Sequence, residues 1–559
     1  MIKFGKAVVK LRIPILILSI FLLIPSAIGY FNTRVNYDIL TYLPEEIETM
    51  KGQDLLLDEF GTGAFSFCVV EGMDAKDIST MREQMEEVPH VKSVIWYDSL
   101  ADISIPMEML PDEIYDFFNN DEKDSTLLAV LYDTSMSADE TMDAIEELRG
   151  VVKDQCYISG MSAVVTDIKN LSNKETPVYV LIAVVLAVIV LSLTMDSALA
   201  PIFFLLSIGM AIIYNLGTNV FKGEISYVTQ ALAAVLQLGV TMDYSIFLLE
   251  SYEANKVRYD GDKNRAMAHA ISNTFTSVTS SSVTTIAGFA ALCFMTFKLG
   301  MDLGLVMAKG VIIGVIVCLT VLPALILCFD KAIDKTTHKN LIPNLDGLSK
   351  KIVKGWPVVL VLFLVLLGPA MYGNSNYEIY YDIAGALPQS LDSAVANKKL
   401  EEKFNMNSTH IVLMKNGMAS KEKSEMLKKI EDVKGVKWAL GIDSFKGVSI
   451  PSSMIPKKLE SKLKSDNYEI AFVCSDYKAA TDEVNSQIAD INKIVKKYSK
   501  DSMVIGEAPL TKDLQDVTDI DLVNVNYVSV AAIFLIILIT FKSILIPVIL
   551  VMVIEFAIF

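Results

Sequence analysis

The sequence predicts a polytopic α-helical membrane protein that carries two extracytoplasmic α/β domains. Three observations support this fold class. The chain has 559 residues, of which 52% are hydrophobic, windows of about 20 apolar residues recur along it, and one unit of a span followed by a domain occurs twice. Such a chain is too long for one domain and too apolar for an ordinary soluble protein.

The apolar windows predict eight membrane-spanning helices and the beginning of a ninth. The spans are expected at 13–31, 178–194, 198–216, 227–250, 275–297, 303–328, 357–372 and 527–541, with the ninth starting at Ile544. The predicted domain organisation is a first span (1–31), a first outer domain (32–176), a bundle of five spans (177–335), a cytoplasmic linker (336–356), a seventh span (357–372), a second outer domain (373–522), and the eighth span with part of a ninth (523–559).

Basic residues set the predicted orientation, because loops on the cytoplasmic side carry an excess of Lys and Arg. Four basic residues precede the first span, and six lysines lie between the sixth and seventh spans. We therefore expect a multi-pass protein of the cell membrane with a cytoplasmic N-terminus and both large domains extracytoplasmic. The connection 251–274 is then an inner loop, and its basic residues are Lys256, Arg258, Lys263 and Arg265.

An internal repeat is the strongest organisational signal in the sequence. Tyr37-Asp-Ile-Leu-Thr-Tyr-Leu-Pro44 recurs as Tyr381-Asp-Ile-Ala-Gly-Ala-Leu-Pro388, and Val91-Lys-Ser-Val-Ile-Trp96 recurs as Val433-Lys-Gly-Val-Lys-Trp438. The repeat argues that the first span is a permanent helix rather than a secretory signal. The second copy stops after the equivalent of about residue 213, so we expect a C-terminally truncated piece of a protein of roughly 680 residues with two parallel repeats.

The two outer domains are predicted to be α/β modules. In the first, strand-like segments at 64–71, 91–98, 125–133 and 154–160 alternate with helix-like segments at 75–88 and 138–151. This β-α-β-β-α-β order is typical of the ferredoxin-like fold. The charges differ, because residues 32–176 hold 31 acidic and 10 basic side chains, whereas residues 373–522 hold 23 and 21.

Asp243 is the main candidate functional residue. It lies within the fourth predicted span, where an ionised carboxylate costs at least roughly 2.5 kcal/mol, so such a residue is by default part of an ion or proton path. Helical spacing places Gly239 and Phe247 on the same face, with glycine allowing close approach of another helix. Tyr244 is expected to donate a hydrogen bond to the carboxylate, and a neutral, purely structural acid remains the alternative.

Two further polar features lie in the predicted spans. The fifth span begins with a hydroxyl-rich stretch from Ser277 to Thr285, whose side chains either bond back to their own helix or hold water near Asp243. Lys309 in the sixth span is expected to extend toward the outer interface rather than to pair with Asp243.

Several function classes have no support in the sequence. A net charge of -17 excludes a generic nucleic-acid binder, and no cofactor, metal site or enzymatic motif is expected, since neither a phosphate-binding glycine loop nor a nucleophile elbow occurs. The six cysteines are too scattered for a disulfide framework, and Cys68 with Cys156 is the one pair for which a bridge remains open.

The repeat architecture and the motif Gly239-Val-Thr-Met-Asp-Tyr244, with Phe247 after it, resemble the MMPL (mycobacterial membrane protein large) branch of the RND (resistance-nodulation-division) superfamily. Further likenesses are Asp38-Ile-Leu-Thr-Tyr-Leu-Pro44 and Leu319-Thr-Val-Leu-Pro-Ala-Leu325. The resemblance implies the RND fold, with the outer modules as porter domains. It also implies a secondary transporter, driven by the proton-motive force, that exports lipids or other hydrophobic or amphiphilic compounds.

In this family Asp243 and Tyr244 would form half of a proton relay, and the other half would be an Asp-Tyr pair on the tenth span. The implied partners are protons, a hydrophobic cargo, the membrane, and either further copies or envelope-synthesis proteins. Three alternatives remain. A Patched-like or sterol-sensing receptor shares G-x-x-x-D, the export accessory SecDF has an intramembrane aspartate with a different continuation, and an envelope scaffold would not need the acid.

Overall fold

The computed structural model describes residues 1–99, 115, 117–120, 124–338, 346–376, 379, 381–442 and 462–559. The helices used below are α1 (Ile2–Lys10), α2 (Arg12–Asn32), α3 (Glu48–Phe60), α4 (Ala75–Glu86), α5 (Asp139–Val151), α6 (Met161–Thr194), α7 (Ala200–Gly217), α8 (Tyr227–Arg258), α9 (Lys263–Ala291), α10 (Lys298–Lys335), α11 (Asp346–Lys354), α12 (Trp356–Ser375), α13 (Asp392–Phe404), α14 (Ser420–Glu431), α15 (Asp482–Tyr498), α16 (Glu507–Phe541) and α17 (Leu545–Ile558). The strands are β1 (Arg34–Asn36), β2 (Ala64–Glu71), β3 (Val91–Ile95), β4 (Asn119–Asn120), β5 (Ser125–Tyr132), β6 (Cys156–Ser159), β7 (Glu224–Ser226), β8 (Ser408–Lys415), β9 (Val436–Gly441), β10 (Tyr468–Ser475) and β11 (Met503–Ile505).

A helical unit comprises Met1–Asn36, Asn173–Ile379 and Ile520–Phe559. Within the described residues, eight helices are long and apolar enough to cross a membrane: α2, α6, α7, α8, α9, α10, α12 and α16. Helix α10 is at the centre, because 67% of its most apolar window is buried, whereas no residue in the corresponding window of α12 is buried. The peripheral helices therefore present apolar surfaces that suit contact with lipid.

Two helices extend well beyond the predicted spans. Helices α6 and α16 run without a break from the ends of β6 and β11 into apolar segments, although the sequence predicts their spans only at 178–194 and 527–541. Each follows a glycine with positive φ, Gly160 at +102° and Gly506 at +127°, a backbone conformation that other residues rarely adopt. These glycines occupy equivalent positions in the repeat, so the same sharp turn begins both long helices.

The loop predicted between Ser251 and Thr274 is wrong. Helix α8 continues to Arg258 and α9 begins at Lys263, so only residues 259–262 connect them. Asp262 caps α9 by accepting a hydrogen bond from the backbone N–H of Arg265 at 3.1 Å. The polar ends of both helices are α-helical although they are not apolar, and hydropathy therefore underestimated their lengths.

A separate α/β unit comprises Tyr37–Ser172 and Tyr380–Asp519 and contains two similar modules. The first module has an antiparallel sheet with strand order β3-β5-β2-β6, and β4 pairs with β5 at one end. The second has the equivalent order β9-β10-β8-β11. The thiols of Cys68 on β2 and Cys156 on β6 are free.

Each module receives a helix from the other half of the chain. Helix α13, which belongs to the second repeat, packs against β6 and β2 of the first module, where Lys399 and Lys403 form ion pairs with Glu71 at 3.0 and 2.9 Å. Burial alone would raise the pKa of Glu71, but the two ammonium groups outweigh it and hold the pKa below its usual value.

The reciprocal exchange involves α3, which packs against β11 of the second module. Gly52 lies so close to β11 that a Cβ atom there would be 2.3 Å from Cγ2 of Ile505. Glu59 accepts hydrogen bonds from Ser465 at 2.9 Å and Asn467 at 2.8 Å. Because each sheet packs against a helix from the other repeat, the two modules form one interlocked unit.

Candidate functional site

Helix α8 has two faces of opposite character. Ser226 caps its N-terminus by accepting a hydrogen bond from the N–H of Val228 at 3.3 Å. A stripe of residues spaced three or four apart is exposed along one side. We call this stripe the open face, and its members are Leu232, Leu236, Gly239, Asp243, Phe247 and Glu250. The opposite side, the packed face, is buried and includes Gln237, Thr241, Tyr244, Ser245, Leu248 and Tyr252.

Asp243 lies near the middle of the open face. Its carboxylate has no hydrogen-bond or ion-pair partner within the part of the chain that the structure describes, and a Cβ atom added to Gly239, one turn earlier, would meet no atom within 4 Å. Phe247, one turn later, is 51% exposed. The expectation that Asp243 is buried is therefore wrong, because no described helix covers this side of α8.

The expected hydrogen bond from Tyr244 to the carboxylate of Asp243 is not formed. Consecutive residues of an α-helix point about 100° apart, so Tyr244 turns toward the packed face while its neighbour stays on the open face. Its side chain is buried, and its hydroxyl group has no hydrogen-bond partner among the described residues. Any hydrogen bond between the two side chains would need a rearrangement or a bridging group.

A polar cluster that the sequence did not predict lies beside the beginning of α8. Asp302 of α10 is buried, forms an ion pair with Lys222, and accepts a hydrogen bond from the backbone N–H of Ser226 at 3.0 Å. Lys309, two turns further along α10, donates to Oδ1 of Asn219 at 2.5 Å. Lys309 is therefore held at this end of the bundle by an amide.

A second polar contact crosses the middle of the bundle. Asn215 of α7 donates to Oε1 of Gln237 at 3.0 Å, and Gln237 donates in turn to the backbone carbonyl of Gly310 at 3.1 Å. Glycine is required at this position of α10, since a Cβ atom at Gly310 would lie 2.6 Å from Nδ2 of Asn215. Three helices are thus joined by buried amide hydrogen bonds.

A third polar cluster surrounds Asp330 at the end of the bundle where α8 ends and α9 begins, which we call the basic end. Asp330 is buried, accepts a hydrogen bond from the hydroxyl of Tyr252 at 2.7 Å, and pairs with Lys263 and Lys256. Asp334, one turn later, also pairs with Lys256 at 2.7 Å. The predicted span 303–328 stops just short of both Asp302 and Asp330, so hydropathy does not identify them as intramembrane acids.

Three of the seven hydroxyl side chains between Ser277 and Thr285 of α9 donate hydrogen bonds to the backbone of their own helix. Ser282 donates to the carbonyl of Val278 at 2.6 Å, and Thr284 and Thr285 donate to the carbonyl of Ser281 at 2.6 and 3.1 Å. These contacts favour the structural interpretation of the stretch. A water-holding role near Asp243 stays a prediction.

The model of the MMPL family matches residues 71–361 and 385–559, which is most of the chain. The chain belongs to the MMPL family. It is therefore a polytopic membrane protein, and its eight candidate spans agree with that assignment.

Curated relatives are similar at low identity. A protein of Streptomyces coelicolor named as a membrane protein is 23% identical over 65% of this chain and 45% of its own length. A Mycobacterium tuberculosis protein named "Probable transport protein MmpL12" is 21% identical over 56% of this chain and 28% of its own length. The apo-petrobactin exporter of Bacillus anthracis is 22% identical over 56% of this chain and 42% of its own length. The matches thus span less than half of each of these three relatives.

Proposed function

We propose that this MMPL chain is part of a secondary transporter, driven by the proton-motive force, that exports lipids or other hydrophobic or amphiphilic compounds, with Asp243 as the group that takes and releases the proton. Tyr244 is the second relay residue, and Gly239 and Phe247 shape the surface around the carboxylate. In this proposal the chain has the RND fold with a cytoplasmic N-terminus. Its α/β modules are ferredoxin-like porter domains on the extracytoplasmic side.

The observation that carries this proposal is the contrast among three acids. Asp302 and Asp330 are buried and paired with lysines, so their negative charges are already compensated. Asp243 lies mid-helix on the open face with no partner among the described residues. An unpaired acid at that depth is costly unless it binds a proton or faces a wet cavity. The names of the MmpL12 protein and the petrobactin exporter support transport, and the second supports export.

A cavity in the α/β unit supports an amphiphilic cargo. It measures about 410 Å³ and lies where residues of both modules meet. Aromatic and aliphatic side chains line part of it, including Phe65, Phe67 and Met406, while Lys398 and Glu401 contribute charges. Such a lining suits a molecule with an apolar body and a polar group.

The decisive experiment measures proton-coupled export by the full-length protein in vesicles. Asp243→Asn removes the titratable group while preserving size, so we expect cargo efflux and accompanying proton movement to fall to the level of protein-free vesicles, with unchanged folding. Glu250→Gln is the matched control, because Glu250 lies on the same open face two turns further along, at the end of the apolar segment. This control should keep most of the flux.

The outcomes separate transport from the other classes. Undiminished flux in Asp243→Asn would refute the relay, and a sensor would show unchanged bulk flux but altered downstream signalling. Tyr244→Phe is expected to slow export without abolishing it, since the hydroxyl does not contact the carboxylate in this structure.

A further inference from the structure

A cavity rich in basic side chains lies at the basic end of the bundle, where α1, α2 and α9 meet. It measures about 780 Å³, and we call it the Lys6 cavity. None of the described residues that line it is acidic. Its basic side chains are Lys6, Lys10, Arg12, Arg265 and His269.

Local sequence explains why the cavity forms. Pro14 has no N–H to donate to the carbonyl of Lys10, so the helix is interrupted and α1 ends there, with Leu11 separating it from α2. Helix α1 packs tightly onto α9, since a Cβ atom at Gly5 would lie 2.4 Å from the carbonyl oxygen of Ala268. Arg12 then donates to Oδ1 of Asn264 at 3.0 Å, which joins α2 to α9 across the cavity.

The cations of this cavity are not neutralised within the described parts of the chain. Asp262 caps α9 through the backbone N–H of Arg265 and not through its guanidinium, and Asp330 pairs with two other lysines. The guanidinium of Arg265 is held over the ring of Tyr259, 4.4 Å from its centroid. That ring packs in turn against His269, with centroids 4.7 Å apart. A positioned guanidinium beside two lysines suits a phosphate group.

An apolar stripe leads from the cavity along the membrane-spanning helix α2. Ile13 lines the cavity, and Ile17, Ile20 and Ile24 follow at helical spacing. All four are between 59% and 64% exposed. A ligand that occupies both the Lys6 cavity and the isoleucine stripe must carry a phosphate group and a long apolar chain.

We propose that the Lys6 cavity binds the phosphate headgroup of an anionic phospholipid, whose acyl chain lies along the isoleucine stripe of α2. Amphipathic α1, which carries lysines beside exposed Phe4 and is followed by exposed Leu11, suits the interface between headgroups and acyl chains. The site lies outside the α8 open face and does not depend on export or on Asp243.

The test is lipid retention by the full chain in detergent, measured by native mass spectrometry with phosphatidylglycerol or phosphatidylcholine added. The test variant is Lys6→Gln/Lys10→Gln/Arg265→Gln. The control is Lys350→Gln/Lys351→Gln/Lys354→Gln, which removes three exposed charges from α11, away from the cavity. Each charge near a lipid surface contributes a factor of about five in affinity, so we expect the preference for phosphatidylglycerol to fall at least about tenfold in the test variant and less than about twofold in the control.

Two further arms keep the result interpretable. Lys6→Arg/Lys10→Arg/Arg265→Lys preserves the charges and should retain the preference, and Lys6→Gln/Lys10→Gln leaves Arg265 on Tyr259 and should lower it partially. Glycerol 3-phosphate should compete at least about a hundredfold more weakly than phosphatidylglycerol, because it lacks acyl chains. Equal competition would show a site for a soluble phosphate and overturn the proposal. An unchanged preference in the triple glutamine variant, or an equal loss in the control, would overturn it as well.

Discussion

The two faces of α8 differ in how their polar groups are satisfied. On the packed face, Gln237 and Tyr252 are buried and donate to defined partners on neighbouring helices. On the open face, Asp243 is exposed and has no such partner among the described residues. The packed face of α8 therefore carries polar groups that stabilise the bundle. Asp243 on the open face does not contribute to its packing.

This difference gives a physical criterion for function. A polar group inside a membrane protein is retained either because it stabilises the fold or because it acts on something outside the fold. The packed face meets the first condition through its contacts with α7 and α10. The open face lacks those contacts, so the exposed acid is the better candidate for a functional group.

The largest expected difference in stability concerns the two aspartates. Asp330→Asn should lower the free energy of unfolding by about 3 kcal/mol, because it leaves two ammonium groups without their buried counter-ion. Asp243→Asn should change it by less than about 0.5 kcal/mol, as expected for a position away from packing contacts. Unfolding in a sodium dodecyl sulfate titration measures both values. Equal losses would contradict the assignment of the two faces.

Neighbouring apolar residues provide the next comparison. Leu248 is fully buried on the packed face, whereas Phe247 is 51% exposed on the open face. Leu248→Ala should lower the free energy of unfolding by about 3 kcal/mol through lost packing. Phe247→Ala should lower it by less than about 1 kcal/mol, although this substitution removes the larger side chain. The same titration tests this order. A larger loss for Phe247→Ala would mean that the open face is covered within the purified protein.

Two glycines provide the third comparison, in which the expected loss of stability is smaller. Gly310→Ala places a methyl group 2.6 Å from Asn215 and 3.0 Å from Gln237, so we expect a loss of about 2 kcal/mol from overpacking. Gly239→Ala meets open space and should be neutral or stabilising by up to about 1 kcal/mol, since alanine is the better helix former. Thermal unfolding in detergent distinguishes the two. Destabilisation by Gly239→Ala would indicate a closely packed partner on the open face.

The smallest effect concerns the amide contact between α7 and α8. A double-mutant cycle with Asn215→Leu and Gln237→Leu should give a coupling energy of about 0.6 kcal/mol, the usual size for a hydrogen bond between membrane helices. Unfolding free energies of the two single variants and the double variant supply the cycle. In the control cycle, Leu236 is substituted instead of Gln237. This cycle should give no coupling energy with Asn215→Leu.

Much of the fold follows from patterns that are local in sequence. Alternation and apolar content predict β2 at its observed bounds, and the apolar windows identify all eight candidate spans. The errors occur where a helix extends into polar sequence. Helix α9 begins twelve residues before its predicted span at 275, because backbone hydrogen bonds and an aspartate cap continue the helix after its apolar residues end.

The candidate site was only partly predictable. Helical spacing correctly grouped Gly239, Asp243 and Phe247 on one side of α8, because that geometry depends on the helix alone. The direction in which this side faces depends on the neighbouring helices. For that reason the expected burial of Asp243 and its expected hydrogen bond with Tyr244 were wrong. The lysine partners of Asp302 and Asp330 also escaped prediction, because Lys222 and Asp302 are 80 residues apart.

The sequence by itself determined the family, the positions of the membrane helices and the internal repeat, since each depends on local composition or spacing. Only the tertiary structure decided which acids are compensated, that α3 and α13 are exchanged between modules, and that Asp243 is exposed. These properties depend on contacts between residues distant in the chain. Asp243 and Asp330 are both aspartates in predicted or observed membrane helices, and the packing around them is what makes their roles different.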